Sequence, residues 1–260
     1  MQTFTNIFAR ICQLGPRNSP FRTAVAADQI AALCRELGLG NPAWEQFESY
    51  SDAYANLCLG PIDRLVFTAH YDTCGPACGA CDNSSGVAVA LAAAAIAKAA
   101  GAEVGLLINA CEEPPFFARK MGSQDWVARH SSELTDAEII VIDSLGGMHK
   151  PESPSGHPSR RNVAERELVL LAPSPQDGNA WATDIGSELD IPNFVDLTGN
   201  SIRNLGDTRC MTGLKALLLL DSHTMDVPFH MPQDIPEAVD VAWLERAANS
   251  LAALAVARLT

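Results

Sequence analysis

Three short apolar runs constrain this chain more than anything else in it. Residues 64–70 (RLVFTAH), 103–110 (EVGLLINA) and 139–143 (IIVID) are too short for helices and almost unbroken in apolar residues. They read as strands buried on both faces. Segments of helical spacing lie between them. Residues 84–100 follow the first run, with Ser84 or Ser85 available as a cap, and residues 123–130 follow the second. A helix also precedes the set: Ala24, Ala27, Ile30, Leu33, Cys34 and Leu37 recur at helical intervals over residues 21–38, where Gly38 ends it. Further strands are expected at 167–171, 191–195 and 215–221, and a closing amphipathic helix at 235–259. Residues 148–162, rich in Pro, Ser and Gly, read as an exposed loop. Strands alternating with helices imply an α/β protein with a mostly parallel sheet covered on both faces. No repeat or long linker divides the 260 residues, so one domain spanning residues 1–260 is expected.

Sheets of this kind bind ligands just beyond the carboxyl ends of their strands. The first strand ends in His70-Tyr-Asp72, and the loop after it carries Asp82-Asn83. Glu112-Glu113 follow the second strand, Asp143 ends the third, and His230 to Asp234 follow the last. No lysine or arginine ends any of these strands. Crowded carboxylates without cations resist ionisation, and a divalent metal removes that cost. Singly, each residue has a plainer reading: a hydrogen-bonding histidine, a solvated acidic pair, a turn aspartate. In the order His, Asp, Glu, Asp, His at one sheet edge they point to a metal. Imidazole with carboxylate suits zinc, manganese or cobalt. One carboxylate bridging two ions about 3.5–4 Å apart would make a two-metal hydrolase. Adjacent strand residues face opposite ways, so Glu112 and Glu113 can share a site only where the strand has ended, and Pro114-Pro115 supports such a break.

His70-x-Asp72, Gly79-Ala-Cys-Asp82-Asn83-Ser-Ser-Gly86, Glu112-Glu113, Asp143 and His230 together resemble the co-catalytic di-zinc aminopeptidases. That superfamily also holds glutamate carboxypeptidases and glutaminyl cyclases. Gly15-Pro-Arg17, Gly122-Ser123, Gly206-Asp207 and residues 213–217 look like its landmarks, so the resemblance spans nearly the whole chain. It implies a three-layer αβα sandwich around a mostly parallel mixed sheet of zinc-exopeptidase type, holding two zinc ions. By the same resemblance Asp82 bridges the ions, His70 and Asp143 complete one site, and Glu113 and His230 the other. Glu112 is then the general base, and Asp72 orients the His70 ring. The implied activity is removal of N-terminal amino acids from peptides with a free N-terminus, by a water between the zinc ions that Glu112 activates. The rival reading is a glutaminyl cyclase-like acyltransferase with a single zinc, and a more distant one a non-catalytic relative. His223 is an alternative last ligand, but His230 matches the family's pattern. In the family the bond after the bridging aspartate is often cis. Residues 114–121 depart from the family's usual turn.

Composition narrows the partners. A formal charge of −13 argues against nonspecific nucleic-acid binding and against anionic membranes, and fits a substrate with a positive group. The start MQTFTNIFARICQLGPR lacks the pattern of a signal peptide, and the small-apolar run 87–100 is too short for a membrane span. Eight cysteines without a secretion signal are expected to stay reduced, which makes the cytoplasm the expected location. Cys74, Cys78 and Cys81 have the Cys-x3-Cys-x2-Cys spacing of a radical enzyme's iron–sulfur cluster. A cluster there would displace the site centred on Asp82, so the thiols are expected to pack the loop or form a redox-sensitive pair. Phe116, Phe117, Met148, Met211 and Phe229 fall on or near the predicted site loops and would suit an apolar first residue, although each suits core packing as well. His149 and His157 are expected in solvent. Oligomeric state leaves no sequence signal.

Overall fold

Central strands buried on both faces set the architecture of the computed structural model, which describes residues 2–116, 120–147, 168–171, 179–189, 206–221 and 230–260. Seven strands form one sheet: β1 (Ala43–Ser49), β2 (Asp52–Leu59), β3 (Leu65–His70), β4 (Gly105–Asn109), β5 (Glu138–Ile142), β6 (Leu168–Leu171) and β7 (Lys215–Asp221). Their order is β1-β2-β4-β3-β5-β7-β6. The central strands β4, β3, β5 and β7 are parallel, while β1, β2 and β6 pair antiparallel at the edges. The sheet is thus the expected mixed one, parallel in its middle and antiparallel at its edges. The strand expected at 191–195 and the loop at 148–162 lie outside the described residues.

Leu65, Phe67, Leu106, Ile108, Ile140, Ile142, Leu217 and Leu219 face one core, whereas Val66, Leu107, Ile139, Val141 and Leu218 face a second, smaller one. Six helices cover these faces: α1 (Phe4–Cys12), α2 (Pro20–Glu36), α3 (Gly86–Ala99), α4 (Gly122–His130), α5 (Asn179–Glu188) and α6 (Val241–Leu259). The apolar run read as too short for a membrane is α3, buried along nearly its whole length. It packs against β3, α1 and α6. Its alanines let that packing be close, and side chains of this size lose almost no rotamer entropy on burial. On the other face, Trp126 of α4 fills the smaller core beside Leu134 and Met211. Met211 is thus a packing residue, the second of its two readings.

Three elements had no place in the sequence reading. Helix α1 buries Phe4, Ile7, Phe8, Ile11 and Cys12, a clean helical stripe, and Thr3 caps it by accepting from the Asn6 N–H at 3.4 Å. The β1–β2 hairpin turns at Tyr50 and Ser51, both with positive φ (51° and 71°). A turn of that kind usually carries Asn-Gly or Asp-Gly, so these two residues gave no hairpin signal. Helix α5 has no counterpart in the sequence reading either.

Candidate metal centre

The topology brings three strand ends together. Strand β3 lies between β4 and β5: the chain passes from β3 to β4 on one side and from β4 back across to β5 on the other, which opens a crevice at the carboxyl end of β3. His70 is the last residue of β3. Strand β4 ends at Asn109, and the chain then turns sharply at Cys111 (φ 63°). The strand has therefore ended before Glu112-Glu113, which meets the condition for both glutamates to face one site. Asp72 fixes the pair: its Oδ1 accepts from the Glu112 N–H at 3.2 Å and its Oδ2 from the Glu113 N–H at 3.0 Å.

Asp82 arrives on the irregular turn Ala80–Ser85 that leads into α3. Its peptide bond to Asn83 is cis, as the family resemblance led one to expect. The Asn83 amide donates to the Ile142 carbonyl at 2.9 Å, while its oxygen accepts from the N–H groups of Gly86 (2.9 Å) and Ser144 (3.2 Å). That ties the turn to the end of β5 beside Asp143. A Cβ at Gly86 would overlap the Ile142 carbonyl and the Asn83 side chain, so no larger residue fits there. Asp234 holds the same turn from outside, accepting from the N–H groups of Cys81 (2.6 Å) and Asp82 (3.1 Å).

The five expected ligands converge. His70 Nε2 lies 3.3 Å from Asp82 Oδ1, 3.4 Å from Asp143 Oδ1 and 3.8 Å from Glu112 Oε2. His230 Nε2 lies 2.8 Å from Glu113 Oε2 and 3.4 Å from Asp82 Oδ2. Asp82 thus has one oxygen toward each imidazole. Ligand atoms gather within 4.8 Å of one another as His70 with Asp82 and Asp143, as His70 with Glu112 and Glu113, and as Cys74 with Glu113 and His230. The His70 Nδ1 sits 3.2 Å from the Asp72 carbonyl and 3.6 Å from its carboxylate. Asp72 therefore touches the ring with its backbone and spends its carboxylate on the glutamate loop. His223, His149, His157, Phe117, Met148 and Phe229 lie outside the described residues.

The electrostatics are those of acids gathered without a cation. Burial pushes Glu112 well up, and Asp143, Asp207 and Asp82 add to the effect although His70 opposes it. Burial, then Asp82, likewise pushes Glu113 up. Burial would also raise Asp82, but His230 and His70 outweigh it and hold that carboxyl below its ordinary range. For His70, burial favours the neutral ring, and the surrounding carboxylates, Glu112 first, overcome it. Its Nε2 is fully buried and has no hydrogen-bond partner among the described residues, though it points at carboxylate oxygens. An orphaned imidazole nitrogen among carboxylates is what a metal ligand looks like, and nitrogen with oxygen donors suits zinc.

Several supporting residues carried no clear functional signal in the sequence. Arg17 is completely buried; its guanidinium donates to the carbonyls of Tyr71, Gly15 (3.0 Å) and Cys78 (3.0 Å) and to Ser84 Oγ (2.9 Å). It is the strut of the loop that carries Asp72 and Asp82. Arg17→Met is expected to cost about 3 kcal/mol or more, because it strands buried carbonyls. Denaturant midpoints test this, and a variant within about 0.5 kcal/mol of the parent would remove Arg17 from that role. Asp207, part of the Gly206-Asp207 landmark, accepts from the Asn109 amide at 2.9 Å, and Thr68 Oγ1 donates to Asn109 at 3.1 Å. The three loop thiols separate: Cys81 is buried in the core, Cys78 Sγ donates to the Asp234 carbonyl at 3.7 Å, and Cys74 joins the site.

A cavity of about 300 Å³ opens beside Glu113 and Asp72, walled by Tyr54, Phe116, Pro114 and Pro115 among others. Phe116 is part of an aromatic group, its ring centroid 5.5 Å from Tyr54 and 5.7 Å from Tyr50.

Fold and site define the class first: an α/β protein of the zinc-exopeptidase fold. The solved structures it resembles include a leucine aminopeptidase precursor from Bacteroides thetaiotaomicron, with a TM-score of 0.71 at 16% identity, covering 98% of this chain and 97% of that one. A Zn-dependent exopeptidase from Parabacteroides distasonis gives a TM-score of 0.71 at 15% identity, covering 98% of each chain. A glutaminyl cyclase from Bacteroides thetaiotaomicron gives 0.67 at 17% identity, covering 98% of this chain and 97% of that one. Within that class, residues 60–177 match the model of peptidase family M28. The match spans His70, Asp72, Asp82, Glu112, Glu113 and Asp143, and it bears out the resemblance to the superfamily of zinc aminopeptidases and glutaminyl cyclases. No curated protein matches the chain in sequence.

Proposed function

We propose that this protein is a zinc-dependent aminopeptidase that removes single residues from the free N-terminus of peptides, acting as one catalytic domain. The observation that supports it is the convergence of donors on Asp82: the buried Nε2 of His70, with no hydrogen-bond partner among the described residues, and Asp143 lie at one of its oxygens, and His230 with Glu113 at the other. His70 and Asp143 would hold one zinc ion, Glu113 and His230 a second, and Asp82 would give an oxygen to each. Bound zinc supplies Lewis acidity, which acidifies water toward neutral pH and polarises a carbonyl oxygen.

The chain's own residues do the rest. Glu112 is the general base: its carboxylate takes a proton from the attacking water and returns it to the leaving amine. Asp72 holds Glu112 in place through its backbone N–H. The carboxylates around the site receive the substrate's α-ammonium group, consistent with the chain's acidity. The cavity beside Glu113 takes the first side chain, and Tyr54, Phe116 and the two prolines favour an apolar one.

Metal analysis with a panel of aminoacyl chromogenic substrates tests the reading. Hydrolysis of free-amine substrates, loss on chelation and recovery with zinc are expected, with blocked N-termini refused. Cyclisation of N-terminal glutamine without hydrolysis, at one zinc per chain, would instead make the protein a glutaminyl cyclase-like acyltransferase.

A further inference from the structure

We infer that Cys74 is a fourth protein ligand of the second zinc position, beside Asp82, Glu113 and His230. The inference rests on the metal reading above and extends it to a residue outside the five-ligand pattern. Three observations carry it. The Cys74 Sγ, a Glu113 carboxylate oxygen and a His230 ring nitrogen lie within 4.8 Å of one another, although they come from three separate segments. The Cys74 N–H donates to Glu113 Oε1 at 3.2 Å, which leaves Glu113 Oε2 on the side of His230. The loop is also held there: Gly75 (φ 81°) packs so closely on the His230 carbonyl that a Cβ would overlap it, and Asn18 donates to the Gly75 carbonyl at 2.7 Å.

The chemistry of the donor set gives the placement a consequence. Asp82, Glu113, His230 and Cys74 supply four donors, the number that closes a zinc site, whereas His70, Asp82 and Asp143 supply three. The open position therefore belongs to the His70 side, next to Glu112. A thiolate also biases the second position toward zinc and away from manganese or magnesium. Binding breaks the S–H bond, with its proton passing to solvent, and the new metal–sulfur bond replaces one metal–water bond of the incoming ion.

The test is the electronic spectrum of the full chain loaded with cobalt(II). The parent should show a sulfur-to-cobalt charge-transfer band in the near ultraviolet beside the visible d–d bands. Cys74→Ser should lose the charge-transfer band and keep the d–d bands, and His230→Ala should also lose it. Cobalt binding with d–d bands and no charge transfer in the parent overturns the role of Cys74 alone. A charge-transfer band that persists in Cys74→Ser does the same. Failure of the parent to bind cobalt overturns both this inference and the metal reading beneath it.

Discussion

Glu112→Gln is expected to lower turnover about a hundredfold to ten-thousandfold, the range for losing a general acid–base group, with bound zinc unchanged. The amide keeps the shape of the side chain but cannot accept the water's proton. Without a cation, burial first and the neighbouring acids second raise the pKa of Glu112, and bound zinc would act in the opposite direction. The structure also offers a competing part for it: its carboxylate lies within ligand distance of His70 and Glu113. The two parts separate in one measurement. A base loses turnover and keeps metal, whereas a ligand loses both together. Zinc content falling in step with activity in Glu112→Gln would move Glu112 from base to ligand, and unchanged turnover would remove it from the mechanism.

How much of this was legible beforehand follows from which signals are local. The buried strands at the centre of the sheet were readable because both faces are covered, so their sequences are continuous apolar runs. The site was readable because sheet topology maps strand ends onto a common edge: His70, Glu112-Glu113 and Asp143 needed only the positions of β3, β4 and β5. The β1–β2 hairpin was hidden because Tyr50 and Ser51 adopt left-handed backbone that side chains of their kind seldom take. Helix α1 was hidden for a different reason. Its stripe of Phe4, Ile7, Phe8 and Ile11 is plain, but the segment stands outside the alternation of strands and helices from which the fold is read. Arg17 and Asp234 were invisible as struts because what they hold is backbone, and backbone hydrogen bonds leave no mark on sequence spacing. Cys74 was set aside with Cys78 and Cys81 as a group defined by spacing, yet the fold sends the three thiols to three different surroundings. Spacing along a loop says little about proximity unless the loop's path is known.

Zinc is expected to stabilise the fold substantially, and the size of the effect follows from the charges. Asp82, Glu113 and Asp143 meet at two imidazoles, while the guanidinium of Arg17 is committed to backbone carbonyls and Ser84. A ligand that binds only the folded chain, at about a thousand times its Kd, contributes roughly 4 kcal/mol per site, which for a chain of this size raises Tm by on the order of 10 °C. Thermal unfolding with zinc and with a chelator should show that difference. The sign with pH is fixed: the donors must lose protons to bind, so the increment is present near neutrality and vanishes as acid protonates the carboxylates and imidazoles. Asp82→Asn separates a metal role from a structural one. If the carboxylate serves two ions, the amide removes most of the zinc increment. The chelated variant also loses the pairing with His230 and His70 that holds the Asp82 carboxyl below its ordinary range, so the zinc increment is the quantity that discriminates. If Asp82 only holds its turn in place, the zinc increment should survive in the variant. A parent whose Tm ignores both zinc and chelator would remove the cation from the account of why these acids lie together.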